Sequence, residues 1–180
     1  CKKIILKKDE NMVFLPDPGM AIDLGGIAKG YAADKVAELL QKQGVAAGIV
    51  SIGGDMKVFG GGGKGMAVGI QDPRHSGRVI AKIYLKDSAI STSGDYERFF
   101  IYRGVRYSHI IDPLTGYPAR GEESVSVIAK DGLTTDAWAT ALFVLGREQG
   151  LKILESRPGL EAIFIDESGR MFQSPGLEQR

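Results

Sequence analysis

Asp23-Leu24-Gly25-Gly26-Ile27-Ala28-Lys29-Gly30 is the stretch from which the rest of the chain can be ordered. Gly25 and Gly26 allow a tight turn and a close approach of backbone to a ligand, with no Cβ in the way. After them, Ile27, Tyr31, Val36, Leu39 and Leu40 recur at close to helical spacing, which predicts a helix over Ile27–Gln43, with Gly44 as its stop signal. A glycine turn feeding a helix N-terminus presents free N–H groups and the positive end of the helix dipole, an arrangement that suits a diphosphate. Lys29 adds a full positive charge where the dipole alone disfavours one, so an anionic partner is expected there. The motif is neither the spaced-glycine dinucleotide fingerprint nor a P-loop, because no Gly-Lys-Ser/Thr follows. Taken alone, it reads equally well as a strand-to-helix turn carrying a solvated lysine.

Outward from this turn, the chain reads as α+β, a mostly antiparallel sheet with helices packed on it. Short runs rich in β-branched or aromatic residues predict strands at Ala47–Ile52, Met66–Ile70, Val79–Leu85, Ser88–Thr92, Phe99–Tyr102, Tyr107–Ile111, Ser124–Ala129 and Leu160–Ile165, with a return at Arg170–Gln173. Further helices are expected at Thr135–Leu145 and Arg147–Ser156, the second stopped by Pro158. The run from Gly60 to Gly65 reads as a flexible hairpin tip, since no helical pattern follows it. No linker, repeat or low-complexity tract divides the 180 residues, so a single domain over 1–180 is expected.

Composition narrows the partners. With 23 basic and 22 acidic residues the net charge is +1, which gives no footprint for nucleic acid. No apolar run approaches the roughly 18–20 residues needed to span a bilayer, so no transmembrane segment is expected in the chain. The single cysteine, Cys1, excludes an internal disulfide framework or a cysteine zinc site. Its position is read as the start of a fragment in preference to a lipid-attachment cysteine.

Three further clusters carry candidate chemistry. Ser51-Ile52-Gly53-Gly54-Asp55 ends an apolar strand; it is read as a bulge or turn with Asp55 as a local cap, with a ligand over bare backbone as the alternative. Ser91-Thr92-Ser93-Gly94-Asp95-Tyr96 and Ser108-His109-Ile110-Ile111-Asp112-Pro113 bring hydroxyls, a histidine and aspartates to strand ends. His109 is either a buried histidine satisfied by backbone or the proton handler for a hydroxyl nucleophile. His75, in a polar loop, reads as surface. In Thr134-Thr135-Asp136-Ala137-Trp138-Ala139-Thr140, a threonine caps a helix whose first turn holds Asp136, one turn before Thr140. A carboxylate and a hydroxyl so placed suit Mg²⁺; the alternative is a dipole-favoured aspartate and a threonine bonded to its own backbone.

Taken in order, five motifs resemble those of the ApbE family: Asp23 to Asp34, Ile52-Gly53-Gly54-Asp55, Ser91 to Tyr96, Ser108 to Gly116, and Thr135 to Ala141. The resemblance runs through nearly the whole chain. The family comprises FAD:protein FMN transferases, formerly described as thiamine-biosynthesis lipoproteins. It implies an enzyme that binds FAD with Mg²⁺ at the diphosphate, lets a threonine or serine hydroxyl of a target flavoprotein attack the flavin-side phosphorus, and releases AMP. Carried over by motif, Gly26 (through its carbonyl), Asp136 and Thr140 would ligate the metal, Asp23 and Lys29 would contact FAD, Ile110 would lie beside it, and His109 would assist catalysis or position the nucleophile. The family also implies a periplasmic or membrane-anchored placement on the outer face, and a region before Asp23 larger than the one present here. Two other readings stay open at this point, an FAD pyrophosphatase yielding FMN and AMP, and a flavin-binding protein without turnover.

Overall fold

Two carboxylates, one on each long helix, fix how the helical layer is assembled. In the computed structural model, which describes residues 3–178, the first long helix, α1 (Ala28–Lys42), has no side-chain cap of its own at Ile27. The second, α2 (Gly132–Glu155), is capped by Asp131, whose side chain accepts the Thr134 N–H at 2.8 Å. Asp34 of α1 accepts two more orphan N–H groups of α2, from Gly132 at 2.8 Å and Leu133 at 3.0 Å. In return Asp136 of α2 accepts the Gly30 N–H of α1 at 3.0 Å. Each helix therefore satisfies donors that the other leaves open at its N-terminus. The backbones meet at glycine: a Cβ on Gly30 would lie 1.9 Å from the Gly132 carbonyl oxygen.

This pair packs on a sheet. The strands are β1 (Ile5–Lys7), β2 (Met12–Phe14), β3 (Gly48–Ile52), β4 (Asp55–Phe59), β5 (Met66–Gln71), β6 (Val79–Leu85), β7 (Ala89–Gly94), β8 (Phe99–Tyr102), β9 (Val105–Ser108), β10 (Glu122–Ala129), β11 (Glu161–Asp166) and β12 (Met171–Gln173), with a short α3 (Pro175–Glu178) after the last. Six of them form one sheet in the order β12-β11-β10-β7-β4-β3, with every neighbour antiparallel. β10 is buried along its whole length, so both faces of the sheet are covered at its centre. Val125, Val127 and Ala129 join Leu142, Phe143 and Leu154 under α2. On the opposite face Ile128 and Ile90 meet Val68, Ile70 and Leu85 from the β5–β6 hairpin. Alternation along one strand thus feeds two cores, and each fully buried aliphatic side chain contributes about 1.5–3 kcal/mol. A smaller cluster of Ala33, Ala37, Val50 and Phe59 seats α1 on β3 and β4. The pairs β8–β9 and β1–β2 stand apart as separate hairpins.

The α+β expectation holds, with local differences. The two helices expected after Thr134 are one run from Gly132 to Glu155, broken at Gly146, where φ is +74°. It begins before Thr134 because Asp131, not a threonine, is the cap, so Asp136 lies beyond the first turn. The Gly53-Gly54 turn, at φ +57° and +93°, closes a hairpin into β4, a strand the sequence reading did not place. The Gly60–Gly65 run is not a hairpin tip; it carries the chain from β4 in the sheet to β5 in the hairpin covering its other face. Gly60 is needed there, since a Cβ would sit 2.0 Å from the Ala46 carbonyl oxygen. The strand expected over Tyr107–Ile111 ends at Ser108. Cys1 lies outside the described residues. Among the described residues, no helix is long and apolar enough to cross a membrane.

The glycine contact at the helix crossing gives a direct test. Gly30→Ala drives a methyl into backbone that cannot yield, and should destabilise the fold by about 1–3 kcal/mol or more in urea unfolding. Ala at Gly44, an open position just past the helix, serves as a control for a clash at the crossing, although its φ of +87° adds local strain of its own.

Candidate active site

The N-terminus of α1 opens into a cleft of about 640 Å³ whose lining includes Gly25, Gly26, Lys29, Gly53, Ser93, His109, Ile110, Asp136 and Thr140. Its floor follows from the local sequence. The Asp23 side chain accepts the Gly25 N–H at 2.6 Å, and the Leu24 carbonyl accepts the N–H groups of Ile27 and Ala28, which holds the Gly25-Gly26 turn in place before the helix.

The Lys29 side chain extends from the first turn of α1 across the β3–β4 hairpin. A Cβ on Gly53 would lie 3.1 Å from its Cδ, so the bare backbone of the turn makes room for the stem. The ammonium then bridges two aspartates, 3.0 Å from Asp55 Oδ2 and 3.3 Å from Asp136 Oδ1. Both carboxylates are almost wholly buried while the lysine is 42% exposed, so the cation forms the solvent-facing cap over two buried anions. Burial pushes the Asp55 carboxyl up to about 6, against the pull of the Lys29 ammonium. Desolvation acts to lower the Lys29 pKa, but Asp55 and Asp136 outweigh it and the net shift is upward.

Hard oxygen donors gather beside this pair. Thr140 Oγ1 lies 3.2 Å from Ser93 Oγ and 3.5 Å from the Asp136 carbonyl, and a Cβ on Gly26 would be 3.9 Å from the same Thr140 oxygen. Asp136, Thr140 and Gly26 therefore converge on one wall. One lysine between two aspartates leaves the group with one uncompensated negative charge, so the donor chemistry and the charge fit a hard divalent cation. Among the described residues no group of three or more His, Cys, Asp or Glu could hold a metal, so such a cation would draw on carbonyl and hydroxyl oxygens as well. Behind the wall, Ser91 Oγ and Thr135 Oγ1 hydrogen-bond at 2.8 Å, tying β7 to α2 and fixing the helix that carries Asp136 and Thr140.

His109 also lines the cleft, just past the end of β9. It is exposed, unlike the buried histidine weighed from sequence. Its Nδ1 lies 3.1 Å from the Arg98 carbonyl oxygen. A carbonyl can only accept, so Nδ1 carries a proton, and in the neutral ring the lone pair is on Nε2. The ring lines both the cleft and a neighbouring apolar groove of about 520 Å³ bounded by Phe99, Phe100, Tyr107, Ile111, Tyr117 and Pro118. Ile110 borders the cleft while its side chain packs into the core beneath α2.

The structure thus brings Gly26, Lys29, His109, Ile110, Asp136 and Thr140 to one cleft. Asp23 is exposed, spends its carboxylate on the Gly25 N–H, and is not among the lining residues. Asp55, read from sequence as a local cap, is instead the buried partner of Lys29. The signal for it was present in Gly53-Gly54-Asp55, two glycines that free a path and a carboxylate that follows, but the partner is 26 positions away and no local pattern shows it. Ser93, beside Thr140, was noticed only as part of a hydroxyl-rich run. His75 is at the surface, paired with Asp72 at 2.9 Å.

Comparison with known proteins places this arrangement in a family. Residues 1–164 match the ApbE family. An FAD:protein FMN transferase of Treponema pallidum is 42% identical over 93% of this chain and 50% of its own length, and one of Klebsiella pneumoniae is 39% identical over 91% of this chain and 51% of its own. The chain spans about half the length of these curated relatives. Among solved structures, the ApbE protein of Thermotoga maritima superposes with a TM-score of 0.88 at 39% identity, covering 99% of this chain and 59% of that one. The flavin transferase ApbE of Vibrio cholerae gives 0.84 at 33% identity, covering 99% and 58%.

The hydrogen bond from Gly30 to Asp136 can be measured without any ligand. Asp136→Ala strands the buried Gly30 N–H and should lower stability by about 1–3 kcal/mol in chemical denaturation. Asp136→Asn keeps an acceptor oxygen and should lose clearly less. Equal losses from the two substitutions would mean that the Gly30 hydrogen bond contributes little.

Proposed function

The chain belongs to the ApbE family, and from that premise we propose that it works as a Mg²⁺-dependent FAD:protein FMN transferase. In this reading the FAD diphosphate lies over the Gly25-Gly26 turn and the N-terminus of α1, with Lys29 against it, and the flavin side runs toward His109 and Ile110. Asp23 acts on the cofactor indirectly, by holding the turn. The cation would be held by Asp136, Thr140 and the Gly26 carbonyl. When bound, it would supply charge neutralisation at the diphosphate and polarise its oxygens.

The reaction balances as an exchange of one phosphorus–oxygen bond for another. The hydroxyl oxygen of a threonine or serine on the target protein attacks the flavin-side phosphorus, and the bond from that phosphorus to the bridging oxygen breaks. AMP leaves with the bridging oxygen, and FMN stays on the acceptor as a phosphoester. The hydroxyl proton passes to Nε2 of His109, which the Arg98 carbonyl leaves free to accept by holding the proton on Nδ1. The Lys29 ammonium and the positive end of the α1 dipole stabilise the charge that builds on the phosphoryl oxygens. The family also supports an extracytoplasmic setting for this work.

The observation that carries the reading is the position of His109. It lines the same cleft as the lysine and the oxygen donors, so a proton acceptor and the proposed diphosphate site share one space. Incubation with FAD, Mg²⁺ and a candidate acceptor protein, followed by intact-mass spectrometry, should show an acceptor heavier by one FMN, with AMP in solution. Free FMN with an unmodified acceptor would identify a pyrophosphatase instead. His109→Ala should slow transfer by about 10²–10⁴-fold while FAD affinity survives, since general acid–base catalysis typically contributes that range. A rate per folded, FAD-loaded molecule within a few-fold of the unsubstituted protein would remove His109 from the chemistry.

A further inference from the structure

We propose that Asp55 is a positioning residue for Lys29, the anchor that keeps the ammonium aimed into the cleft when Asp136 is engaged by the cation. The inference rests on the reading of the cleft as the FAD diphosphate site, and goes beyond it by giving a role to a buried carboxylate that neither the metal nor the proton transfer uses.

The geometry sets up a conflict. Lys29 Nζ contacts Asp136 Oδ1 at 3.3 Å, while the other oxygen of Asp136 is committed to the Gly30 N–H. Oδ1, free of the backbone, is therefore the oxygen better placed to serve a cation, and a cation bound there would compete with the lysine for it. Left with Asp136 as its only anchor, a flexible four-carbon stem would swing into solvent, and the charge meant for the diphosphate would be lost. Asp55 prevents this. Its Oδ2 is 3.0 Å from Nζ, is buried, and has no hydrogen-bond partner among the described residues, so the ammonium is its only counter-charge. A buried carboxylate holding one partner does not give it up easily, because it would be left desolvated and unpaired.

The local sequence is arranged around the same task. Gly53 leaves space for the lysine stem, as a Cβ there would come within 3.1 Å of Lys29 Cδ. The two-residue turn then delivers Asp55 as the first residue of β4, directly across from Ile52. Lys29 and Asp55 come from α1 and the β3–β4 hairpin, elements that pack together through Ala33, Ala37, Val50 and Phe59, so the anchor is fixed relative to the helix whose lysine it holds.

The test uses the sign of an effect. Removing a negative charge near an anion site should, by charge alone, tighten FAD binding. The positioning role predicts the reverse. With Mg²⁺ saturating and FAD binding followed by calorimetry, Asp55→Asn should weaken affinity about tenfold, comparable to Lys29→Ala, as expected for loss of a charge-assisted contact. In the Lys29→Ala background, Asp55→Asn should add no further loss. Unchanged or tighter binding in Asp55→Asn, with Lys29→Ala still weakened, overturns the positioning role and leaves the diphosphate site standing. Wild-type affinity in Lys29→Ala overturns both. A second measurement needs no substitution: in ¹⁵N spectra of the lysine ammonium groups, the Lys29 signal should remain protected from solvent exchange after FAD and Mg²⁺ are added. Fast exchange in the loaded protein would show that the ammonium has left Asp55 and would overturn the proposal even if the asparagine variant does not fold.

Discussion

The exchange of carboxylates between α1 and α2 is the interaction on which the rest of this structure depends. A helix that starts at a glycine turn leaves N–H groups open, and a side chain at the N-cap normally takes one of them. Here Ile27 caps nothing, and Asp136, more than a hundred residues later, does that work for Gly30. Asp34 does the same for Gly132 and Leu133. The exchange demands that the two N-termini lie side by side, which the Gly30–Gly132 contact permits. As a result, the ends of two helices, the Gly25-Gly26 turn and an aspartate converge on one cleft, and the site is a by-product of how the helical layer is built.

The same geometry explains the charge arrangement. A carboxylate that caps a buried N–H is itself buried, and a second buried carboxylate, Asp55, stands close by. Two such anions need a partner, and Lys29 supplies it from the cleft side, where it stays 42% exposed and within reach of a ligand. The lysine at a helix N-terminus, unfavourable by the dipole alone, is thereby accounted for twice: by the two aspartates beneath it and, in the proposed function, by the diphosphate above it. Hydroxyls from β7 reach α2 at two successive inward positions, Ser91 to Thr135 and Ser93 to Thr140, so the wall bearing the oxygen donors is held by the sheet and not by a loop.

Much of this was legible in the sequence wherever the signal was local. Short runs rich in β-branched and aromatic residues located most strands within a residue or two, and the helix over Ile27–Gln43 differs from α1 by one residue at each end. Gly25-Gly26 was visible as a ligand-binding turn, Lys29 as a cation out of place at a helix N-terminus, and Asp136 with Thr140 as a pair of hard oxygen donors; the family resemblance gathered them into one site. What was hidden was everything decided by distant partners. β4 escaped because Asp55-Met56-Lys57 breaks the apolar pattern, and it is a strand only because β3 and β7 flank it. Asp55 looked like a turn residue because its lysine is far away in the chain. The start of α2 was misplaced because Asp131, outside the apolar run, is the cap. The glycine run at 60–65 gave no sign that it crosses from the sheet to the hairpin on the other face, since flexibility says nothing about direction.

In the proposed function one carboxylate, Asp136, joins the helix pair to a divalent cation at the cleft. Mn²⁺ substituted for Mg²⁺ in the presence of FAD makes this measurable, because a paramagnetic ion broadens the NMR signals of nuclei nearest to it. Backbone amides of Gly26, Gly30, Asp136 and Thr140 should broaden first and together as Mn²⁺ is added, while those of β12 stay sharp. Broadening that begins elsewhere, or that leaves Asp136 and Thr140 untouched at saturation, would contradict the account.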